Sequence, residues 1–88
     1  MDVRLTLYSL ESCPECRAIR EKLAELELTY ICVNVNPAKA KREQVYQLTR
    51  QRSVPVLVDG DKVLTSADNI LEYLVETYAH NGIKPVKY

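Results

Sequence analysis

Alternating apolar and polar side chains begin near the start of the chain, where Val3, Leu5 and Leu7 are separated by single residues of the other kind. This alternation predicts a strand over residues 3–8. From Pro14 onward the apolar spacing changes to threes and fours, which predicts an amphipathic helix whose buried stripe contains Cys16, Ile19, Leu23 and Leu26. Residues 30–35 are mostly β-branched or apolar and predict a second strand.

The second half of the chain predicts a helix, a hairpin and a last helix. Asn36 followed by Pro37 is a helix-start signal, and we expect this helix to run to about Gln51 with Val45 and Leu48 buried. Residues 54–58 and 62–64 are apolar runs on either side of an Asp-Gly turn, which predicts a β-hairpin. The last helix follows the cap Thr65-Ser66-Ala67-Asp68, and its apolar side consists of Ile70, Leu71, Leu74 and Tyr78.

The predicted order is therefore β-α-β-α-β-β-α. The first strand-helix-strand unit is long enough for a right-handed parallel crossover, whereas the hairpin adds antiparallel strands. We expect an α/β fold with a four-stranded mixed sheet and three helices on its two faces. Residues 1–79 form the one predicted domain, and residues 80–88, which lack periodicity, are predicted to be a loose tail.

Composition and charge exclude several classes of function. The 88 residues include 12 Lys and Arg against 12 Asp and Glu, so the chain lacks the basic footprint of a nucleic-acid binder. No apolar run reaches the length of a membrane span, and residues 1–10 lack the features of a secretory signal. We expect a cytoplasmic monomer that binds neither nucleic acid nor membrane.

Two of the three cysteines form the motif Cys13-Pro14-Glu15-Cys16, located where the first strand ends and a helix begins. Open α/β sheets bind their ligands at this end of the strands. A cysteine at a helix N-terminus meets free amide donors and the positive end of the helix dipole, which favour the thiolate. Cys13 is therefore the expected nucleophile, and Cys16, one turn further and less exposed, is the expected resolving thiol.

Other roles for these cysteines have weaker support. A zinc site needs two more ligands, and only Cys32 and His80 remain, without the spacing of a second ligand pair. A purely structural motif is a further alternative. Cys32 is predicted to be a small buried hydrophobic residue. His80 is predicted to be a solvated residue near the end of the last helix.

At this point the chain resembles a known family. Its motifs are similar to those of dithiol glutaredoxins over residues 3 to about 79: Tyr8-Ser9-Leu10-Glu11-Ser12-Cys13-Pro14-Glu15-Cys16, Gln51-Arg52-Ser53-Val54-Pro55 and Ser66-Ala67-Asp68-Asn69. Residues 54–78 are also similar to the N-terminal half of glutathione transferases. Both groups share the thioredoxin fold, which the resemblance implies here.

The resemblance also implies roles for individual residues. Val54-Pro55 would be a cis-proline element that offers the backbone of Val54 to an extended substrate. Gln51 and Arg52 match positions that approach the glycine carboxylate of glutathione. Ala67 and Asp68 match the helix start that holds the γ-glutamyl end, where free amides can donate hydrogen bonds to a carboxylate. Glutathione would be a cosubstrate, with no cofactor and no metal.

Three departures from the glutaredoxin pattern affect these expectations. Leu10 stands where many members carry a lysine, Glu15 replaces an aromatic residue, and Thr65-Ser66 replaces a glycine pair. The first two make the surroundings of Cys13 more negative, an effect that Arg17 and Arg20 on the helix can partly offset. We therefore expect a less acidic nucleophile than is usual for the family and a weaker or altered glutathione site.

The expected function is that of a small thiol-disulfide oxidoreductase acting on protein or glutathione mixed disulfides. A full glutathione transferase is not expected, because 88 residues have no room for the second, helical domain. Two alternatives stay open. The chain could be a non-catalytic binding module resembling half of a glutathione transferase, or a carrier that shares an iron-sulfur cluster between two chains through Cys13 and glutathione.

Overall fold

The computed structural model describes residues 4–79 and confirms the predicted order of helices and strands. A short 3-10 turn, Lys39–Lys41, precedes the second helix. The strands and helices are β1 Leu5–Ser9, α1 Pro14–Glu25, β2 Ile31–Asn34, α2 Glu43–Thr49, β3 Val56–Asp59, β4 Lys62–Thr65 and α3 Ala67–Tyr78.

The four strands form one mixed sheet in the order β2-β1-β3-β4. β1 pairs in parallel with β2 and antiparallel with β3, and β3 pairs antiparallel with β4. The central position of β1 agrees with its alternation, since Leu5, Leu7 and Ser9 are buried while the residues between them are partly exposed. The predicted mixed sheet of the thioredoxin fold is thus confirmed.

The helices cover both faces of the sheet. α1 and α3 pack on the face that carries Leu7, in a core of Leu5, Leu7, Ile19, Leu23, Leu26, Leu57, Ile70 and Leu74. Side chains alternate along a strand, so Tyr8 points to the opposite face. There Tyr8, Val33 of β2 and Val45 of α2 line a cavity of about 220 Å³. α2 therefore covers the second face, and the apolar stripes predicted for α1 and α3 are the ones that build the core.

The helix predicted from Pro37 to about Gln51 is wrong at its start and in one of its two buried residues. The side chain of Asn36 accepts the amide hydrogen of Ala38 at 2.9 Å, a local turn that competes with helix formation. α2 begins only at Glu43 and ends at Thr49. The short helix buries Val45 alone, and Leu48 is 40% exposed.

Cys32 is exposed, so the prediction of a buried hydrophobic residue is wrong. β2 is an edge strand, and Ile31 beside Cys32 is likewise 50% exposed. The apolar composition of β2 therefore predicts a strand correctly but does not predict that its side chains are buried. The predicted tail and His80 lie outside the described residues. Among the helices of residues 4–79, none is long and apolar enough to cross a membrane.

A buried carboxylate connects the sheet to α3 at the end of β3. Asp59 is 2% exposed and accepts hydrogen bonds from Tyr73 Oη at 2.6 Å, Tyr78 Oη at 2.5 Å and Arg4 Nε at 3.0 Å. Burial on its own would raise the pKa of the Asp59 carboxyl, but these three hydrogen bonds outweigh it and hold that pKa below its usual range. Asp59 therefore stabilises the fold as a carboxylate.

We predict that Asp59→Asn lowers the free energy of unfolding by about 2 kcal/mol at pH 7, the scale of hydrogen bonds to a charged group. Because the folded-state pKa of Asp59 is depressed, its contribution is present above about pH 4 and is lost as the pH falls further. Urea unfolding of both proteins at pH 7 and at pH 3 measures this, and the difference should shrink at pH 3. Asp61→Asn, at an exposed position in the same hairpin, is the control and should change stability by less than about 0.5 kcal/mol. Equal stability of Asp59→Asn and the wild type at pH 7 would contradict the account.

Candidate functional site

Cys13 is the N-cap residue of α1, and its side chain performs the capping. The backbone of Cys13 is extended, with φ −83° and ψ 117°, and its Sγ accepts the amide hydrogen of Cys16 at 3.2 Å. Pro14 occupies the first helical position. Proline has no amide hydrogen, and at this position an amide hydrogen would have no partner within the helix. The half-buried sulfur of Cys13 thus lies at the positive end of the helix, as the sequence predicts.

Cys16 lies directly behind Cys13 and is completely buried. Burial, with a smaller contribution from the hydrogen bond to Cys13, raises the pKa of the Cys16 thiol to about 11. Cys16 is therefore a neutral thiol at pH 7, which allows it to belong to the apolar stripe of α1. A half-exposed thiol in front of a buried thiol is the arrangement expected of an attacking and a resolving cysteine.

A cavity of about 380 Å³ brings together segments that are distant in the sequence. Its walls include five of the six residues that the resemblance implicates in glutathione binding, namely Gln51, Val54, Pro55, Ala67 and Asp68. Glu15, two residues after Cys13 in the first turn of α1, lines the same cavity. The Val54-Pro55 peptide bond is cis, as the resemblance implies.

Arg52, the sixth implicated residue, points elsewhere. Its guanidinium lies 4.4 Å from the centre of the Tyr46 ring, and its Nη1 is 3.5 Å from a carboxylate oxygen of Glu43. Arg52 is absent from the walls of the cavity. The two arginines of α1 are also engaged, since Arg17 pairs with Glu21 at 3.2 Å and Arg20 donates to Ser9 Oγ at 2.5 Å.

Arg42 is a supporting residue that the sequence analysis missed. It is 6% exposed and donates to three carbonyl oxygens: Asn36 at 2.7 Å, Arg52 at 2.8 Å and Pro37 at 3.3 Å. These bonds hold the loop before α2 against the segment that leads into Val54-Pro55. Nothing in the sequence distinguishes Arg42 from the exposed basic residues Lys39, Lys41 and Arg50 around it.

The start of α3 forms another wall of the cavity, and its backbone is unusual. Ser66 has φ 76° and ψ 126°, a conformation that side-chain-bearing residues rarely adopt. Its side chain makes no capping hydrogen bond, so the first amides of α3 have no side-chain acceptor from the cap residue. The glycine pair that glutaredoxins carry here would take up this backbone without strain.

Residues 7–82 match the family described as the glutathione S-transferase N-terminal domain. The chain belongs to this family. This glutathione S-transferase N-terminal domain is 34% identical to the stringent starvation protein A homologue of Pasteurella multocida over 93% of this chain and 38% of the relative. It is also 29% identical to a glutaredoxin-like 8.6 kDa protein of Clostridium pasteurianum, over 82% of this chain and 97% of the relative.

Solved structures agree with this assignment. The glutathione transferase homologue of Drosophila mojavensis, determined with bound glutathione, superimposes with a TM-score of 0.81 at 32% identity. The match covers 90% of this chain and 37% of that one. The family domain described here thus spans little more than a third of that transferase homologue and of the Pasteurella relative.

We predict that iodoacetamide at pH 7.5 modifies Cys13 and Cys32 at least about tenfold faster than Cys16, because a buried thiol with a raised pKa presents little thiolate. Peptide mapping by mass spectrometry measures the three rates. In urea the three thiols should react at similar rates. Labelling of folded Cys16 as fast as Cys13 would contradict this description of the site.

We also predict that Ser66→Gly raises the free energy of unfolding by about 1 kcal/mol, since glycine relieves the strain of the positive φ. Chemical denaturation measures the change. Ser53→Gly, an exposed residue of the same cavity without a positive φ, is the control and should be neutral or destabilising. A destabilised Ser66→Gly variant would refute the interpretation.

Proposed function

We propose that this chain is a thiol-disulfide oxidoreductase that reduces protein disulfides or glutathione mixed disulfides. The proposal depends on one observation above all: the sulfur of Cys13 accepts the Cys16 amide hydrogen at the N-terminus of α1. The amide hydrogen and the positive end of the helix dipole are therefore directed at this sulfur. All three cysteines are free, so the structure represents the reduced, dithiol form of the protein.

In the first step the Cys13 thiolate attacks one sulfur of a substrate disulfide. A bond forms between Cys13 and that sulfur, the substrate S–S bond breaks, and the other sulfur leaves as a thiolate that takes up a proton. In the second step Cys16 loses its proton and attacks Cys13 Sγ, which releases the second substrate thiol. The pair of electrons that reduces the substrate comes from the dithiol, which becomes a Cys13–Cys16 disulfide.

Glutathione is the proposed cosubstrate that returns the disulfide to the dithiol, without a metal or an organic cofactor. The pairing of β3 with β1 and β4 begins at Val56. Val54, two residues earlier, lies outside this pairing, so its backbone can form hydrogen bonds with an extended peptide. The first amides of α3 can donate hydrogen bonds to the γ-glutamyl carboxylate, and Asp68 can pair with the ammonium. The transferase homologue of Drosophila mojavensis, solved with bound glutathione, supports this assignment.

The proposed setting is the cytosol, where thiols are kept reduced and a dithiol can act repeatedly as a reductant. We propose that the chain acts there as a monomer.

A second candidate function is a glutathione-binding module without turnover. The family match favours it, because the chain corresponds to the N-terminal domain of transferases and covers 37% of the Drosophila homologue. Turnover distinguishes the two candidates, since a module would bind glutathione and leave disulfides intact.

We predict that the wild-type chain reduces the mixed disulfide of β-mercaptoethanol and glutathione, and that Cys13→Ser lowers this activity by at least about 10³-fold, as expected for loss of a nucleophile. A glutathione reductase assay that follows NADPH consumption measures turnover. Cys16→Ser should accumulate a glutathione adduct on Cys13, detectable by mass spectrometry.

Cys32→Ser is the matched control and should leave turnover unchanged, because Cys32 lies exposed on the edge strand β2 and away from the cavity walls. Glutathione binding by a wild-type protein that shows no turnover would identify the binding module instead. Full activity of Cys13→Ser would overturn the assignment of the nucleophile.

A further inference from the structure

The cavity lined by Glu15, the residue just before Cys16, carries a net negative charge. Its walls carry two carboxylates, those of Glu15 and Asp68, and both side chains are exposed. The other wall residues are uncharged: Gln51, Ser53, Val54, Pro55, Thr65, Ser66 and Ala67. No lysine or arginine of the described residues belongs to these walls, so the cavity is acidic.

Basic side chains near the cavity in sequence have other partners. Arg52 follows Gln51 but lies over Tyr46 and near Glu43. Arg17 follows Cys16 but pairs with Glu21. An incoming substrate therefore meets the carboxylates of Glu15 and Asp68 with no Lys or Arg of the described cavity walls to neutralise them.

This charge discriminates between disulfide substrates. Glutathione brings two carboxylates and only one ammonium, so it can pair with Asp68 but leaves Glu15 facing a ligand of net negative charge. A peptide with lysine or arginine next to its disulfide-bonded cysteine brings the opposite charge. Val54, beyond the paired end of β3, gives such a peptide an extended backbone to bond, which places its flanking side chains beside the cavity walls.

We propose that the preferred substrates of this dithiol are disulfides of extended peptide segments in which basic residues flank the cysteine, and that Glu15 and Asp68 are the specificity-determining residues. This inference rests on the proposed thiol-disulfide activity and adds the substrate class. The chemistry is the two-step exchange described above: the peptide disulfide gains two electrons and leaves as two thiols, and the dithiol becomes a disulfide.

The test uses three short peptides that differ only at the two residues next to a single cysteine, which are both Lys, both Ala or both Glu. The cysteine is blocked as a mixed disulfide with β-mercaptoethanol, so that the blocking group carries no charge. The fully reduced protein is mixed with each peptide in a single turnover, and the second-order rate constant is divided by that of dithiothreitol. This division removes the intrinsic reactivity of each disulfide.

We expect the Lys peptide to react about threefold to tenfold faster than the Glu peptide at low salt, the scale of a few exposed ion pairs. The ratio should shrink at about 0.5 M salt, where exposed charges are screened. Glu15→Gln and Asp68→Asn should each lower the ratio, and the double variant should bring it near one. Glu11→Gln is the matched control, because this acid lies close to Cys13 in sequence but lines a different cavity, and it should keep the ratio.

Equal normalised rates for the three peptides would overturn the proposed specificity and leave the thiol-disulfide activity standing. A ratio that persists in the double variant would likewise overturn the roles of Glu15 and Asp68. Absence of reaction with all three peptides would overturn the proposed function itself, and this specificity with it.

Discussion

The sulfur of Cys13 takes the place that a serine or aspartate oxygen takes at many helix N-termini, and the other features of the site depend on this contact. The hydrogen bond from the Cys16 amide, 3.2 Å long, fixes Cys13 at the end of α1 while leaving it half-exposed. The same helical turn sends Cys16 into the core. One turn of helix therefore separates a thiol that meets solvent from a thiol whose pKa burial raises to about 11.

The cavity that Glu15 lines is otherwise built from segments far from Glu15 in the sequence. Buried Arg42 ties the segment before Val54-Pro55 to the loop before α2 by donating to the carbonyl oxygens of Arg52, Asn36 and Pro37. Ser66 adopts a rare backbone conformation at the start of α3. Arg42 supports the site through a buried side chain that binds backbone carbonyls, and Ser66 supports it through the conformation of its own backbone. Strained backbone and buried hydrogen-bonded side chains are typical of functional sites, where they position the neighbouring residues.

Periodicity and turn signals were sufficient to predict the order of helices and strands along the chain, the stripes of α1 and α3, and the place of Cys13 at a helix start, because each depends on local sequence. The predictions that failed are the start of α2, where a local turn competes with the helix, and the burial of Cys32, which depends on the position of β2 in the sheet. Asn36 forms a local turn in place of a helix, and Cys32 is exposed because β2 is an edge strand. The partners of Arg42 and Arg52 depend on tertiary contacts that no local pattern encodes.

The central claim, that Cys13 and Cys16 form a reversible redox pair, is tested most directly by equilibrating the protein with dithiothreitol buffers of graded potential and mapping its disulfides. The account predicts one two-electron transition, in which a change of about 30 mV shifts the ratio of disulfide to dithiol tenfold. The disulfide should join Cys13 to Cys16, with Cys32 free throughout. A protein that stays fully reduced across the range, or that oxidises only through Cys32, would contradict the claim.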